Sequence, residues 1–231
     1  VTTPEARFVT GSFDIHVNGY AGADFCSRDL TLDQCRRACD ELAADGTDGI
    51  LATVITDSID GICGKLARLV AFRERDPAIA RMIAGFHVEG PFLSRKPGCP
   101  GAHDPTKIVP ANPDDAKRLI DATDGLLRLV TLAPECDAGL ATTRYLAGQG
   151  VTESAGHCDP SLDELGAAID SGLSMVTHLG NGCASGVAPT FLGSLPFWSR
   201  FACPVIRRQY ARAPARSAST AVPRPPWARA M

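Results

Sequence analysis

This 231-residue chain is short of several things, and each shortage narrows its role. No CxxC pair joins its nine cysteines, Cys26, Cys35, Cys39, Cys63, Cys99, Cys136, Cys158, Cys183 and Cys203. An odd, scattered set suits a reducing cytoplasm and small core side chains better than a disulfide framework. No apolar run reaches the ~18 residues of a membrane span. The opening VTTPEARFVTG lacks a charged-then-apolar signal pattern. A net charge of only −3 argues against a nucleic-acid or membrane-surface partner. No GxGxxG or GxxxxGK[ST] follows the first strand-like run, so nothing marks a phosphate-cradling loop.

The last quarter lacks acids altogether. Residues 184–231 contain no aspartate, glutamate or lysine, but seven arginines and seven prolines. They show no sustained helical or strand period. Two readings fit: a disordered Arg/Pro/Ala-rich tail, or translation of a GC-rich gene out of frame. The expected organisation is an N-terminal extension over 1–12, a folded segment over 13–183 and this atypical tail over 184–231.

Within 13–183 the pattern is regular. Six β-rich runs recur: FDIHVN (13–18), GILATVIT (49–56), MIAGFHVEG (82–90), LLRLVTLAPE (126–135), GVTESAGH (150–157) and LSMVTHLGN (173–181). Helical segments separate them. Thr31 with Gln34, and Ser161 with Glu164, form capping boxes. Leu32, Cys35, Cys39 and Leu42 share one helical face. Alternating apolar strands and helices imply a parallel sheet covered by helices. The polar residues choose between its two versions. His16, Glu89, Glu135, His157 and His178 fall at or near the C-terminal ends of their strands, where a barrel builds its active site. The expected fold is α/β, an incomplete (β/α)8 barrel of about six βα units.

Glu89 interrupts an apolar run, and burying an unpaired carboxylate costs several kcal/mol. Glu89, His157 and His178, from the third, fifth and sixth runs, converge in a barrel. One carboxylate and two imidazoles with open positions suit catalytic zinc or a similar divalent ion. The alternatives are a buried ion pair for Glu89 and hydrogen-bonded core roles for the histidines.

At these residues the chain resembles the N-acetylglucosamine-6-phosphate deacetylase family of the amidohydrolase superfamily. DIHVNGYAGADF, FHVEGPFL, GCPGAHDP, VTLAPE, SAGHCD and VTHLGNG follow that family's motifs in order over residues 13–183. The resemblance implies Glu89, His157 and His178 as ligands of one divalent metal, zinc or alternatively iron. It implies Ala102, His103, Asn181 and Gly182 as substrate contacts, and His16 with Asn18 as a site-lining or second-metal pair. Asn18 in place of a second histidine favours one metal. The implied reaction hydrolyses the acetamide of N-acetylglucosamine 6-phosphate to acetate and glucosamine 6-phosphate. The implied partner is that amino-sugar phosphate, with a possible homodimer.

Two departures accompany the resemblance. The family usually has a small β-sandwich built partly before the first barrel strand, and only a dozen residues precede Phe13. The family's base is an aspartate on the eighth strand, and residues 184–231 offer none. A non-catalytic metal-binding remnant is therefore one alternative, and a dihydroorotase-type amidohydrolase another. The latter would want a lysine at the fourth strand end, where this chain has Glu135.

Overall fold

A computed structural model describes residues 11–179. The expected tail, with Asn181 and Gly182, lies outside the described residues, as do residues 1–10. The described chain runs β1 (Ser12–Val17), β2 (Gly19–Tyr20), β3 (Ala23–Asp24), α1 (Leu32–Ala44), β4 (Thr47–Ile55), α2 (Ile59–Arg75), α3 (Pro77–Met82), β5 (Ile83–Glu89), α4 (Pro113–Asp121), β6 (Leu127–Leu132), α5 (Ala141–Gly148), β7 (Thr152–Ala155), α6 (Leu162–Asp170) and β8 (Met175–Val176). β2 and β3 form a small antiparallel hairpin. The other six strands make one parallel sheet in the order β1-β4-β5-β6-β7-β8.

Sheet order follows chain order throughout, with no reversal. A doubly wound sheet reverses at its switch point, so this is the winding of a barrel. Its curl can be measured. Strands lie about 4.8 Å apart, so the outer strands of a flat six-stranded sheet are separated by roughly 24 Å. Yet the rings of His16, on β1, and His178, just past β8, are 5.9 Å apart centre to centre. The sheet curls until its two ends meet at the top.

Local chemistry places each helix. Both expected capping boxes form: Thr31 at the start of α1 and Ser161 at the start of α6. The buried stripe of α1 is Cys35, Ala38, Cys39 and Leu42; that of α2 includes Ile62, Leu66, Leu69 and Phe72. These residues cluster with Ile50, Ala52 and Val54 of β4, Phe86 and Val88 of β5, and Val130 and Leu132 of β6. Because side chains alternate along a strand, the intervening residues face the barrel interior. Helix α3 was not among the expected segments. Asp76 starts it by accepting from the N–H groups of Ala78 and Ile79, with Pro77 in the first turn.

The interior differs from top to bottom. At the lower end Phe13, Ile15, Leu51, Leu129, Thr152 and Met175 line a groove of about 310 Å³. Phe13 is 53% exposed and Ile15 40%. The upper end is polar and holds all five histidines of the chain.

Candidate metal centre

Glu89 is the last residue of β5 and is 4% exposed. Its position on the inner face follows from alternation with Val88, which packs toward the helices. His157 stands two residues beyond β7, and His178 two beyond β8. Both histidines sit at positive φ, 52° and 28°. Such backbone is costly for a residue with a Cβ and persists where surrounding contacts over-determine it. Here it turns each imidazole back over the barrel mouth.

The three side chains meet tightly. His178 Nε2 is 2.8 Å from Glu89 Oε1, His157 Nε2 is 3.3 Å from the same oxygen, and the two Nε2 atoms are 3.2 Å apart. A tetrahedral zinc with bonds of about 2.1 Å has ligand–ligand edges of about 3.4 Å. Among the described residues this is the one group of three with metal-ligand spacing.

Proton bookkeeping favours a cation there. His157 Nδ1 is 2.8 Å from the carbonyl of Cys99, which can only accept, so Nδ1 carries the proton. In the neutral ring Nε2 is then a bare lone pair. His103 repeats the arrangement. Thr56 Oγ1 donates to the Glu89 carbonyl and therefore accepts from His103 Nδ1, at 2.8 Å. His103 Nε2 is bare as well, 3.1 Å from His157 Nε2. Two lone pairs cannot hydrogen-bond to each other, so a positive charge between them and Glu89 satisfies the set. Two imidazoles and a carboxylate fit a divalent transition-metal ion.

Electrostatics run the same way. Burial raises the Glu89 carboxyl, but the imidazoles of His157, His16 and His178 crowded against it outweigh burial and hold the group below the usual carboxylate range. Burial, reinforced by His157, pushes His103 down to about 4. Burial, reinforced by His16, pushes His87 down to about 3. Both rings are neutral near pH 7.

The expected residues divide clearly. His16 joins the cluster, with Nε2 3.3 Å from the second oxygen of Glu89. His103, expected as a substrate contact, is buried beside the ligands, 3.8 Å from that oxygen. Ala102 is exposed in the same loop. Asn18 is exposed, and its backbone carbonyl closes the β2–β3 hairpin through Phe25 N–H. Glu135 stays outside the cluster: it lies on the short turn Pro134–Cys136 and accepts from the N–H of Asp159 at 2.6 Å. His87 is the residue sequence reasoning missed. It is fully buried, packs edge-on against His16, and bonds Thr53 and Thr131. The available signal was its spacing, two residues before Glu89 on the same strand face.

Glycines make room for the set. A side chain at Gly101 would come within 3.2 Å of the His157 ring, and one at Gly90 would run into Thr56 Oγ1. Both have positive φ, 56° and 82°.

The chain is similar to known proteins. The chain is 34% identical over 179 residues to an N-acetylglucosamine-6-phosphate deacetylase of Bacillus subtilis (strain 168), covering 77% of the chain and 44% of the relative. This chain is a relative of the N-acetylglucosamine-6-phosphate deacetylases. An N-acetylgalactosamine-6-phosphate deacetylase of Escherichia coli O157:H7 matches at 29% over 187 residues, covering 79% of the chain and 47% of the relative. The crystal structure of the N-acetyl-D-glucosamine-6-phosphate deacetylase from Mycobacterium smegmatis superposes with a TM-score of 0.67 at 34% identity. The match covers 75% of this chain and 43% of that one. A mutant of that enzyme, in complex with N-acetyl-D-glucosamine-6-phosphate, matches equally well. No family model matches the sequence. The chain thus spans a little under half the length of the relatives it matches. These relatives are enzymes, and the six-stranded sheet is the corresponding part of their barrel.

Proposed function

We propose that Glu89, His157 and His178 hold one zinc ion in the metal half of a deacetylase site for N-acetylated hexosamine 6-phosphates. The observation that carries the reading is the meeting of three ligand atoms within 3.3 Å, two of them on imidazoles. A bound zinc ion lowers the pKa of water and polarises a carbonyl. The chain supplies the frame. Glu89 provides counter-charge, Cys99 O fixes the His157 tautomer, and Thr56 aims His103 at the same point. His103 and His16 flank the ligands and are positioned to meet the acetamide. An odd, scattered set of nine cysteines with no CxxC pair supports a cytoplasmic setting. No described helix is long and apolar enough to cross a membrane. The likeness to named relatives supports N-acetylglucosamine 6-phosphate as the substrate, and a homodimer belongs to the same reading.

One observation favours a second reading, zinc binding without turnover. Asp170 is the last acid in the chain, so no carboxylate from residues 171–231 can act as the general base. Acetate release from N-acetylglucosamine 6-phosphate, measured on the zinc-loaded chain, separates the two. Turnover lost in His103→Gln supports the deacetylase. Stoichiometric zinc without turnover supports the binding-only form. Absence of zinc binding refutes both.

A further inference from the structure

Beneath the ligands the barrel interior departs from the usual branched apolar filling. Thr53 of β4, His87 of β5, Thr131 of β6, Ser154 of β7 and Thr177, directly after β8, are each buried, four of them completely and Thr177 at 7% exposure. They are bonded in series. His87 Nδ1 is 3.2 Å from Thr53 Oγ1, and His87 Nε2 is 2.8 Å from Thr131 Oγ1. Thr131 Oγ1 is 2.7 Å from Thr177 Oγ1, which is 2.7 Å from Ser154 Oγ. At the other end Thr53 Oγ1 accepts from Val17 N–H of β1 at 3.1 Å. The series therefore touches every strand of the parallel sheet or its immediate end.

We propose that this polar belt, with His87 at its centre, is the positioning device that sets the heights of the strand ends carrying the metal ligands. The inference rests on the zinc-site reading and adds the residues that place the ligands. Four of its members stand close in sequence to one group of the site: Val17 next to His16, His87 two before Glu89, Ser154 three before His157, and Thr177 next to His178.

The physical reason is satisfaction. A buried hydroxyl left without a partner is destabilising, because it has lost water and gained nothing in exchange. In this layer the partners come from neighbouring strands, so slipping one strand orphans groups on two others. An apolar layer packs almost equally well a fraction of an ångström out of place, whereas hydrogen bonds of 2.7–2.8 Å do not stretch cheaply. The need is greatest at β8, whose strand is two residues long and pairs through only Ser154 with Met175 and Ala155 with Val176. Thr177 adds two side-chain bonds to the last backbone bond between these strands, from its own N–H to Ala155 O at 2.9 Å, one residue before a ligand at strained φ. Gly156 is part of the device. A Cβ there would lie 2.6 Å from Thr131 Cγ2 and 3.0 Å from Thr177 Cβ, forcing the two threonines apart.

The test compares Thr177→Val, which keeps shape and removes the hydroxyl, with Thr177→Ser, which keeps the hydroxyl. Zinc affinity is read by competition with a chromophoric chelator, and coordination by the visible bands of the cobalt-loaded full chain. Thr177→Val should weaken zinc binding roughly 10- to 100-fold, the usual effect of losing a group that orients a ligand, and alter the cobalt bands. Thr177→Ser should stay within about threefold of the parent. Val and Ser both near the parent, or both equally weakened, would overturn the proposal. If Thr177→Val does not fold, Ser154→Ala opens the same belt at a residue that contacts no ligand, and unchanged affinity there would overturn it too. A metal-free readout keeps the belt separate from the zinc reading. The His87 ring N–H should exchange slowly in the nuclear magnetic resonance spectrum of the apo chain, and its shift should move in Ser154→Ala. Fast exchange and an unmoved shift would refute the belt whether or not zinc binds.

Discussion

Two buried glutamates, on opposite faces of the same sheet, show what burial does and does not make. Glu89 faces the barrel interior and is 4% exposed; Glu153 of β7 faces the helices and is fully buried. Around Glu89 neighbouring strand ends deliver His16, His157 and His178 and the loop after β5 delivers His103, and its carboxyl is held low. Around Glu153 no histidine, lysine or arginine among the described residues pairs with the carboxylate, and burial, only partly offset by Thr143 and the Ala147 backbone, pushes the group up to about 8. Equal burial gives a metal-ready carboxylate in one place and a neutral acid in the other. Convergence of strand ends makes the difference, since the upper interior is where several strands aim side chains at one point.

The comparison can be pressed from each side. The largest expected effect is at Glu89. Glu89→Gln should weaken zinc binding by about 100-fold or more, beyond the range for groups that merely orient a ligand, as read by chelator competition. Glu153→Gln should leave zinc binding unaltered and change the pH dependence of stability instead. The native state keeps the Glu153 proton up to about pH 8, whereas the unfolded chain releases it near 4.5. Between those values the native state binds more protons, so stability falls as pH rises. Glu153→Gln should remove that fall, giving a flatter profile of denaturation midpoint between pH 5 and pH 8.5 and a higher midpoint at the alkaline end. An identical slope in both proteins would show that Glu153 is ionised when folded.

A smaller effect is expected at the bottom of the barrel. Phe13 and Ile15 lie on β1, an edge strand of the sheet among the described residues, beside the apolar groove. Open edges and contiguous apolar surface promote association. Ile15→Lys should lower light scattering of the concentrated chain several-fold with zinc affinity unchanged. Equal scattering would mean that the groove is covered in solution. The smallest effect belongs to Glu135. Glu135→Gln keeps an acceptor for Asp159 N–H and should alter zinc affinity less than about threefold. A larger loss would place Glu135 among the groups that serve the metal.

The sequence was most informative where one residue type answers one need. Thr31 with Gln34 and Ser161 with Glu164 announce helix starts because the capping box needs those spacings. Glu89, His157 and His178 were legible because a carboxylate and two histidines near separate strand ends converge in a barrel, and the structure brings the three together. Glu135 satisfied the same rule and lies elsewhere, since the turn Pro134–Cys136 carries it away from the mouth toward Asp159. His103 was read as a loop residue for substrate; nothing in its neighbourhood of sequence says that Thr56, 47 residues earlier, will orient it toward His157. His87 was hidden by its surroundings. Inside GFHVEG it reads as part of a core strand, and only the registry of three strands reveals Thr53 and Thr131 on its two sides. Contacts between strands are set by pairing, and a single sequence shows pairing least of all.

The central claim is that one zinc ion takes two imidazoles and a carboxylate in a chain that also offers nine cysteines. Zinc-edge X-ray absorption of the chain loaded one-to-one tests it most directly. The account predicts nitrogen and oxygen neighbours at about 2.0–2.1 Å, imidazole scattering beyond them and no sulfur shell. A sulfur shell at about 2.3 Å, unchanged in Glu89→Gln, would contradict it.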